Sequence, residues 1–164
     1  MNPYASFLGD RNPIDVIEGT SRRLSEIVSR LSANNSSSNI EWRPAPGKWN
    51  AREIICHLAD CEIAFAFRLR QTLAETNHVM QPFDQEKWAG MYGALSARGA
   101  LSAFSSLREW DLALIQSTPA EAMGKKVSHP ERGDMTYRTI VETMAGHDLN
   151  HLVQLDAIVA GFAK

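Results

Sequence analysis

Two histidines one helical turn apart, His147 and His151, are the residues whose types and spacing point most directly to chemistry. At i and i+4 on a helix both imidazoles project from one face, so two ring nitrogens can be aimed at a common point, as in helical zinc motifs. They lie in a run of Ile140, Met144, His147, His151, Gln154 and Ile158, whose steps of 4, 3, 4, 3 and 4 trace one continuous stripe. That makes half of a metal site. His57 offers the missing ligand, three residues after Ile54 and four before Cys61, within or beside the apolar stripe of a second helix. Neutral imidazoles, with an ordinary pKa of about 6.5, are available near neutral pH and suit zinc, nickel, copper or iron. Three buried histidines without a shared ion would be costly. The competing reading is a surface pair, or core histidines bonded to backbone and water. His78 and His129 fall in irregular segments and read as solvated loop residues.

The elements that must position these residues are all helical, and nothing between them alternates with period two for long enough to form a sheet. A first helix starts at Asn12-Pro13, a capping side chain followed by proline, and carries Ile17, Leu24, Ile27, Val28 and Leu31 until the Asn34 to Asn39 polar run. The second has Asn50 as cap, Glu53 three residues on and Trp49 placed to staple against Ile54. Its stripe of Ile54, Leu58, Cys61, Ala64 and Phe65 continues toward Leu73, on the order of six turns. A long connection, Asn77 to Gly93, with Pro82, Phe83 and Trp88, reads as a crossover. The third helix lies within Ala94 to Ser117 and presents Leu101, Phe104, Leu107 and Leu114, stopping before Pro119. After an irregular stretch, Ala120 to Met135, Thr136 caps a fourth helix that runs to about Gly161, with Met135 and Ile140 as staple. These elements predict an all-α four-helix bundle, up-down-down-up, in one domain covering residues 1–164.

The 164 residues, 44% apolar and 22% charged, are those of an ordinary globular chain that can build its own core. A formal net charge of -2 leaves no excess of positive charge for a nucleic-acid backbone or an anionic membrane. The first ten residues lack the basic start and apolar run of a secretory signal, and no stretch approaches the roughly 20 apolar residues of a membrane span. A cytoplasmic address is expected. Cys56 and Cys61, five apart in one helix, suit no simple disulfide and fit reduced thiols.

The segments Gly47 to Asp60 (GKWNAREIICHLAD) and Gly146 to Gln154 (GHDLNHLVQ), with the crossover Phe83 to Trp88 and the approach His129 to Gly133 between them in order, resemble the DinB-like superfamily over nearly the whole chain. The resemblance implies a metal-binding bundle, often a homodimer, whose three histidines bind nickel, zinc or a similar ion, and it carries those ligands onto His57, His147 and His151. It also implies work on a small molecule. Characterised relatives include transferases and isomerases using low-molecular-weight thiols such as bacillithiol, mycothiol or glutathione, while many members have no assigned activity.

Three protein ligands leave coordination positions open, as catalytic sites do. A thiol could bind there as thiolate and attack an electrophile, in a thiol S-transferase. Alternatively, ionised water would support a metal-dependent hydrolase. A non-catalytic, metal-stabilised binding or dimerisation module is the third reading. A di-iron carboxylate site is not supported, since paired Glu-x-x-His motifs are missing. Cys61 is either a fourth ligand or a small buried hydrophobe. Asp60, and less so Asp148, could accept a ligand N–H, against a solvated carboxylate in either case. Arg68 could receive an anionic substrate at the pocket mouth or snorkel at the bundle end. Gln154 could contact substrate or satisfy a polar network. Gly146, costing about 1 kcal/mol relative to Ala in a helix, suggests close backbone approach by another element.

Overall fold

The computed structural model describes residues 2–33 and 39–162, so the polar run after the first long helix lies, apart from Asn39, outside the described residues. Each long helix begins where a side chain caps it. Asn12 accepts from the Ile14 amide at the start of α2, Pro13–Leu31, and a complete capping box joins Asn50 and Glu53 at the start of α3, Ala51–Ala74. Ser96 accepts from Gly99 at the start of α5, Ala97–Ser117, and Thr136 Oγ1 accepts from the Thr139 amide at 3.2 Å at the start of α6, Tyr137–Phe162. A one-turn helix α1, Ala5–Leu8, precedes them, and another, α4, Gln85–Ala89, sits in the crossover under an Asp84 cap.

Polar contacts fix the helix directions. Thr20 and Arg23 of α2 bond Asp148 and Asp156 of α6 in that order, so these two helices run the same way. Glu62 and Arg70 of α3 pair with Arg108 and Asp111 of α5, again in the same order. The His57 ring faces His151 while Phe65 faces His147, so α3 and α6 run oppositely. The result is the up-down-down-up bundle, with α2 and α3 each packed on α5 and α6 and lying across the diagonal from one another.

The segment from 120 to 135 is more ordered than its composition suggests. It forms a short 3-10 turn and then an antiparallel hairpin, β1 Lys126–His129 and β2 Gly133–Thr136, in register Val127 to Met135 and His129 to Gly133. This corrects the expectation of no sheet. Four residues per strand are too few for an alternating pattern to stand out, and the hairpin's inward pair, Val127 and Met135, is buried only because it packs on the bundle. Gly133 adopts φ 71°, which the turn requires. The Met80 amide donates to the Ser128 carbonyl at 2.9 Å and ties the crossover to the hairpin.

The α5 stripe is the second correction. Its buried residues are Ala97, Phe104, Arg108, Asp111 and Ile115, whereas Leu107 and Leu114 are half-buried. Two charged groups occupy inward positions. The core accordingly divides into two apolar clusters, one holding Ile17, Phe65, Ile115 and Met144, the other Leu24, Leu58, Phe104 and Leu155. Near the junction of the two clusters every long helix carries a buried polar residue: Thr20 on α2, Glu62 on α3, Arg108 on α5 and Asp148 on α6. Among the described residues no helix is long and apolar enough to cross a membrane.

Candidate metal centre

His57 comes from the second turn of α3, and His147 and His151 from the middle of α6, at the level of this polar layer. The three are 2%, 4% and 6% exposed. His57 Nε2 stands 3.1 Å from His147 Nε2, and His151 Nε2 stands 3.2 Å from the same nitrogen. Two nitrogens bound at about 2.05 Å to one tetrahedral ion would be about 3.3 Å apart, so the spacing suits a shared cation.

Proton counting leads to the same place. His151 Nδ1 donates to Gln154 Oε1 at 3.1 Å, leaving a lone pair on its Nε2. His147 Nε2 meets two other ring nitrogens, and one N–H cannot serve both contacts, so one of them sets lone pair against lone pair unless a cation intervenes. Burial opposes protonation: with the neighbouring His151 it pulls His57 down to about 3, it holds His147 well below the usual range, and it lowers His151. The lone pairs are therefore free at neutral pH. The convergent set, with ligand atoms within 4.8 Å of one another, comprises these three imidazoles.

Cys61 stands beside the set, its Sγ 3.5 Å from His57 Nε2, with burial pushing the thiol up. Gln154 is the residue that fixes the His151 tautomer. Asp60 is half-buried and makes no hydrogen bond to the three imidazoles; burial raises its carboxyl, and the Tyr92 hydroxyl opposes that shift. His129 departs from its loop reading, being buried with Nδ1 accepting from the Glu131 amide at 3.1 Å. His78 is half-buried, and neither of its ring nitrogens has a hydrogen-bond partner.

Asp148 is no solvated carboxylate. It is 1% exposed and accepts from Arg108 Nη1 at 2.5 Å and from Thr20 Oγ1 at 2.8 Å. Arg108 also grips Glu62 through Nε at 2.8 Å and Nη2 at 2.7 Å, and donates to the Ile17 carbonyl at 3.1 Å. One guanidinium thus clamps all four long helices, and one of the carboxylates it grips, Asp148, follows His147 directly in sequence. Burial outweighs Arg108 at Glu62, whose carboxyl is pushed up to about 7.

A cavity of about 670 Å³ opens onto the site, lined by His57 and His151, by Trp49, Lys48 and Asn150, and by Tyr4 and Gln154. Sequence reasoning missed Trp49 and Tyr4 as site residues. The Trp49 ring lies 4.9 Å from that of His57, and the Tyr4 ring meets His147 edge-on at 5.2 Å. Gly146 carried the signal for Tyr4: a Cβ there would lie 2.6 Å from the Tyr4 carbonyl oxygen, so the expected close approach is that of the N-terminal segment. Arg68 does not reach this cavity and lines a separate one.

The chain is similar to a protein of Oceanobacillus iheyensis, named as a proposed metal-dependent hydrolase, with 29% identity over 88% of this chain and 83% of that protein. It is also similar to a Bacillus cereus protein of the same proposed class, with 26% identity over 68% of this chain and 65% of that one. Among solved structures it matches YfiT from Bacillus subtilis, described as having an unusual four-helix bundle topology, with TM-score 0.84, 19% identity, and coverage of 92% of this chain and 86% of that one. The family model of the DinB superfamily matches residues 17–155, and the chain belongs to that superfamily.

Proposed function

We propose that His57, His147 and His151 hold one divalent transition-metal ion, nickel or zinc, in a single DinB-like domain spanning residues 1–164, and that the cavity beside them receives a small-molecule substrate. The observation that carries this reading is the convergence of three buried, neutral imidazoles at the wall of a cavity sized for a drug-sized molecule. An ion bound there would supply Lewis acidity that ionises a thiol or a water near neutral pH.

The chain's own residues do the rest. Gln154 holds the His151 proton on Nδ1, so that Nε2 faces inward. Trp49 and Tyr4 wall the ligands and exclude solvent from two sides. Lys48 and Asn150 offer polar groups to a bound molecule. The cavity far exceeds a water molecule, which favours transfer of a low-molecular-weight thiol: a C–S bond forms to an electrophilic carbon, the thiol proton goes to solvent and the leaving group departs with its electron pair. Hydrolysis is the second reading, favoured by the names of the relatives. We place the chain in the cytoplasm as a homodimer acting on neither nucleic acid nor membrane.

Elemental analysis of untagged protein, and of His57→Ala, His147→Ala and His151→Ala, tests the site. About one ion per chain is expected, lost in each variant. A protein that takes up no ion ends the proposal. Thiol and ester panels then separate the readings: thiol-dependent turnover supports transfer, turnover with water alone supports hydrolysis, and a metal-dependent melting temperature without turnover supports the non-catalytic module.

A further inference from the structure

Beyond Phe65, whose ring stands 6.0 Å from that of His147, lies a second group of polar side chains. Arg68 from α3, Arg132 from the hairpin turn and His129 at the end of β1 line one small cavity with Met80 and Met135. Arg68 has no carboxylate within ion-pair distance among the described residues. Its contacts are a hydrogen bond from Nη2 to the Gln81 carbonyl at 3.1 Å and the face of Phe83, 5.7 Å from Cζ to the ring centre. Most of its five N–H donors are left over.

The three groups feel one another. Burial and then Arg132 depress Arg68, with Cys61 opposing, and burial, Arg132 and Arg68 depress His129, with the Glu131 carboxylate opposing. Because His129 Nδ1 accepts from the Glu131 amide, its neutral ring carries the proton on Nε2 and is a further donor. Like charges gathered against apolar side chains repel, and an anion between them would reverse the sign of that interaction.

We propose that Arg68, Arg132 and His129 form a binding site for a small oxyanion of the carboxylate or phosphate class. The cavity, about 10 Å³, has room for about one water-sized atom, so a single terminal oxygen enters while the rest of the anion stays outside between the guanidiniums. Planar guanidinium forks match two oxygens of such an anion and gain no such second bond from chloride.

The test is titration of inorganic phosphate, sodium acetate and sodium chloride at matched ionic strength into the full chain, as purified and after metal removal, read by calorimetry and melting temperature. The expected result is a rise in melting temperature with phosphate or acetate above that with chloride, in both metal states. Acetate alone identifies a carboxylate source and phosphate alone a phosphate source. Arg68→Gln and Arg132→Gln are each expected to weaken binding at least tenfold, and Arg68→Gln to melt no lower than wild type in anion-free buffer. Arg68→Lys, which keeps the charge, is expected to lose the preference over chloride, and it decides the matter if the glutamine variants do not fold. Equal responses to all three salts, or phosphate binding unchanged in the Arg68 variants, would overturn the proposal.

Discussion

Replacing Gly146 by alanine should destabilise the chain even though alanine is the better helix former. Gly146 lies inside α6, where alanine is favoured by about 0.8–1 kcal/mol. An added Cβ would stand 2.6 Å from the Tyr4 carbonyl oxygen, 2.7 Å from its Cβ and 3.1 Å from its carbonyl carbon. Ordinary contact lies at about 3.5–4 Å, so the N-terminal segment must retreat by about 1 Å. The atoms in the way belong mostly to backbone, which cannot rotate aside. Overpacking of this kind costs about 1–3 kcal/mol, and after the propensity gain a net loss of about 1 kcal/mol is expected. Deleting residues 2–11 removes the obstacle and leaves the propensity. In that background Gly146→Ala should stabilise by about 0.8–1 kcal/mol, reversing the sign. Urea unfolding of the four proteins, metal-free so that binding makes no contribution, measures both values and their coupling. Equal stabilisation in the full and shortened chains would refute the reasoning and leave Gly146 without a packing explanation.

Other expected outcomes follow from the polar layer and the ligands. Arg108→Met leaves Glu62 and Asp148 buried without their cation, and should cost about 3–5 kcal/mol in urea unfolding, part of it recovered by adding Glu62→Gln; a loss under about 1 kcal/mol would contradict the clamp. Gln154→Leu removes the acceptor for His151 Nδ1 and should weaken metal affinity about 10–100-fold in a chelator competition, while metal-free stability changes little because the side chain is exposed. In the metal-free protein, an unfolded histidine takes up its proton near the ordinary 6.5, whereas folded His57 does so only at about 3. Between those values the unfolded state binds more protons, so stability is fully present above 6.5 and falls as pH drops toward 3. The slope should reach about 1.4 kcal/mol per pH unit for each such histidine and lose one proton's worth in His57→Gln; a flat profile would show the imidazoles to be already charged or exposed.

The long helices and their starts were legible because caps are local. Asn12-Pro13, Asn50 with Glu53, and Thr136 each act within one turn, and no distant residue is needed to recognise them. The three histidines were legible for a related reason, since spacing along a helix fixes which face a residue occupies. The capping motif assigns Trp49 to a staple at the start of α3. It belongs to the apolar cluster that contains Ile54, yet its ring also covers His57, a second role that lies two turns further on and that a capping motif does not encode. Tyr4 was out of reach altogether, because only the path of the chain before α2 carries it to α6, and the empty face of Gly146 recorded the visit without naming the visitor.

The deeper omission was Arg108, and it has a physical cause. On α5 the inward positions Phe104, Arg108, Asp111 and Ile115 follow steps of 4, 3 and 4, as regular as any apolar stripe, but a reading that scores apolar residues moves the stripe sideways to Leu107 and Leu114. An isolated arginine cannot be buried; one facing Glu62 and Asp148 can, and that compensation is visible only when three helices are considered together. A charged residue on the ideal inward phase of one helix therefore becomes informative when other helices each carry an opposite charge on theirs. Here Glu62 follows Leu58 by four and precedes Phe65 and Leu69 by three and seven, and Asp148 follows Met144 by four. The polar layer could have been found by asking which charges occupy inward phases. Its position beside His147 makes that question one about the candidate metal centre as much as about the fold, since the same Asp148 that answers Arg108 holds the turn of α6 from which His147 and His151 project.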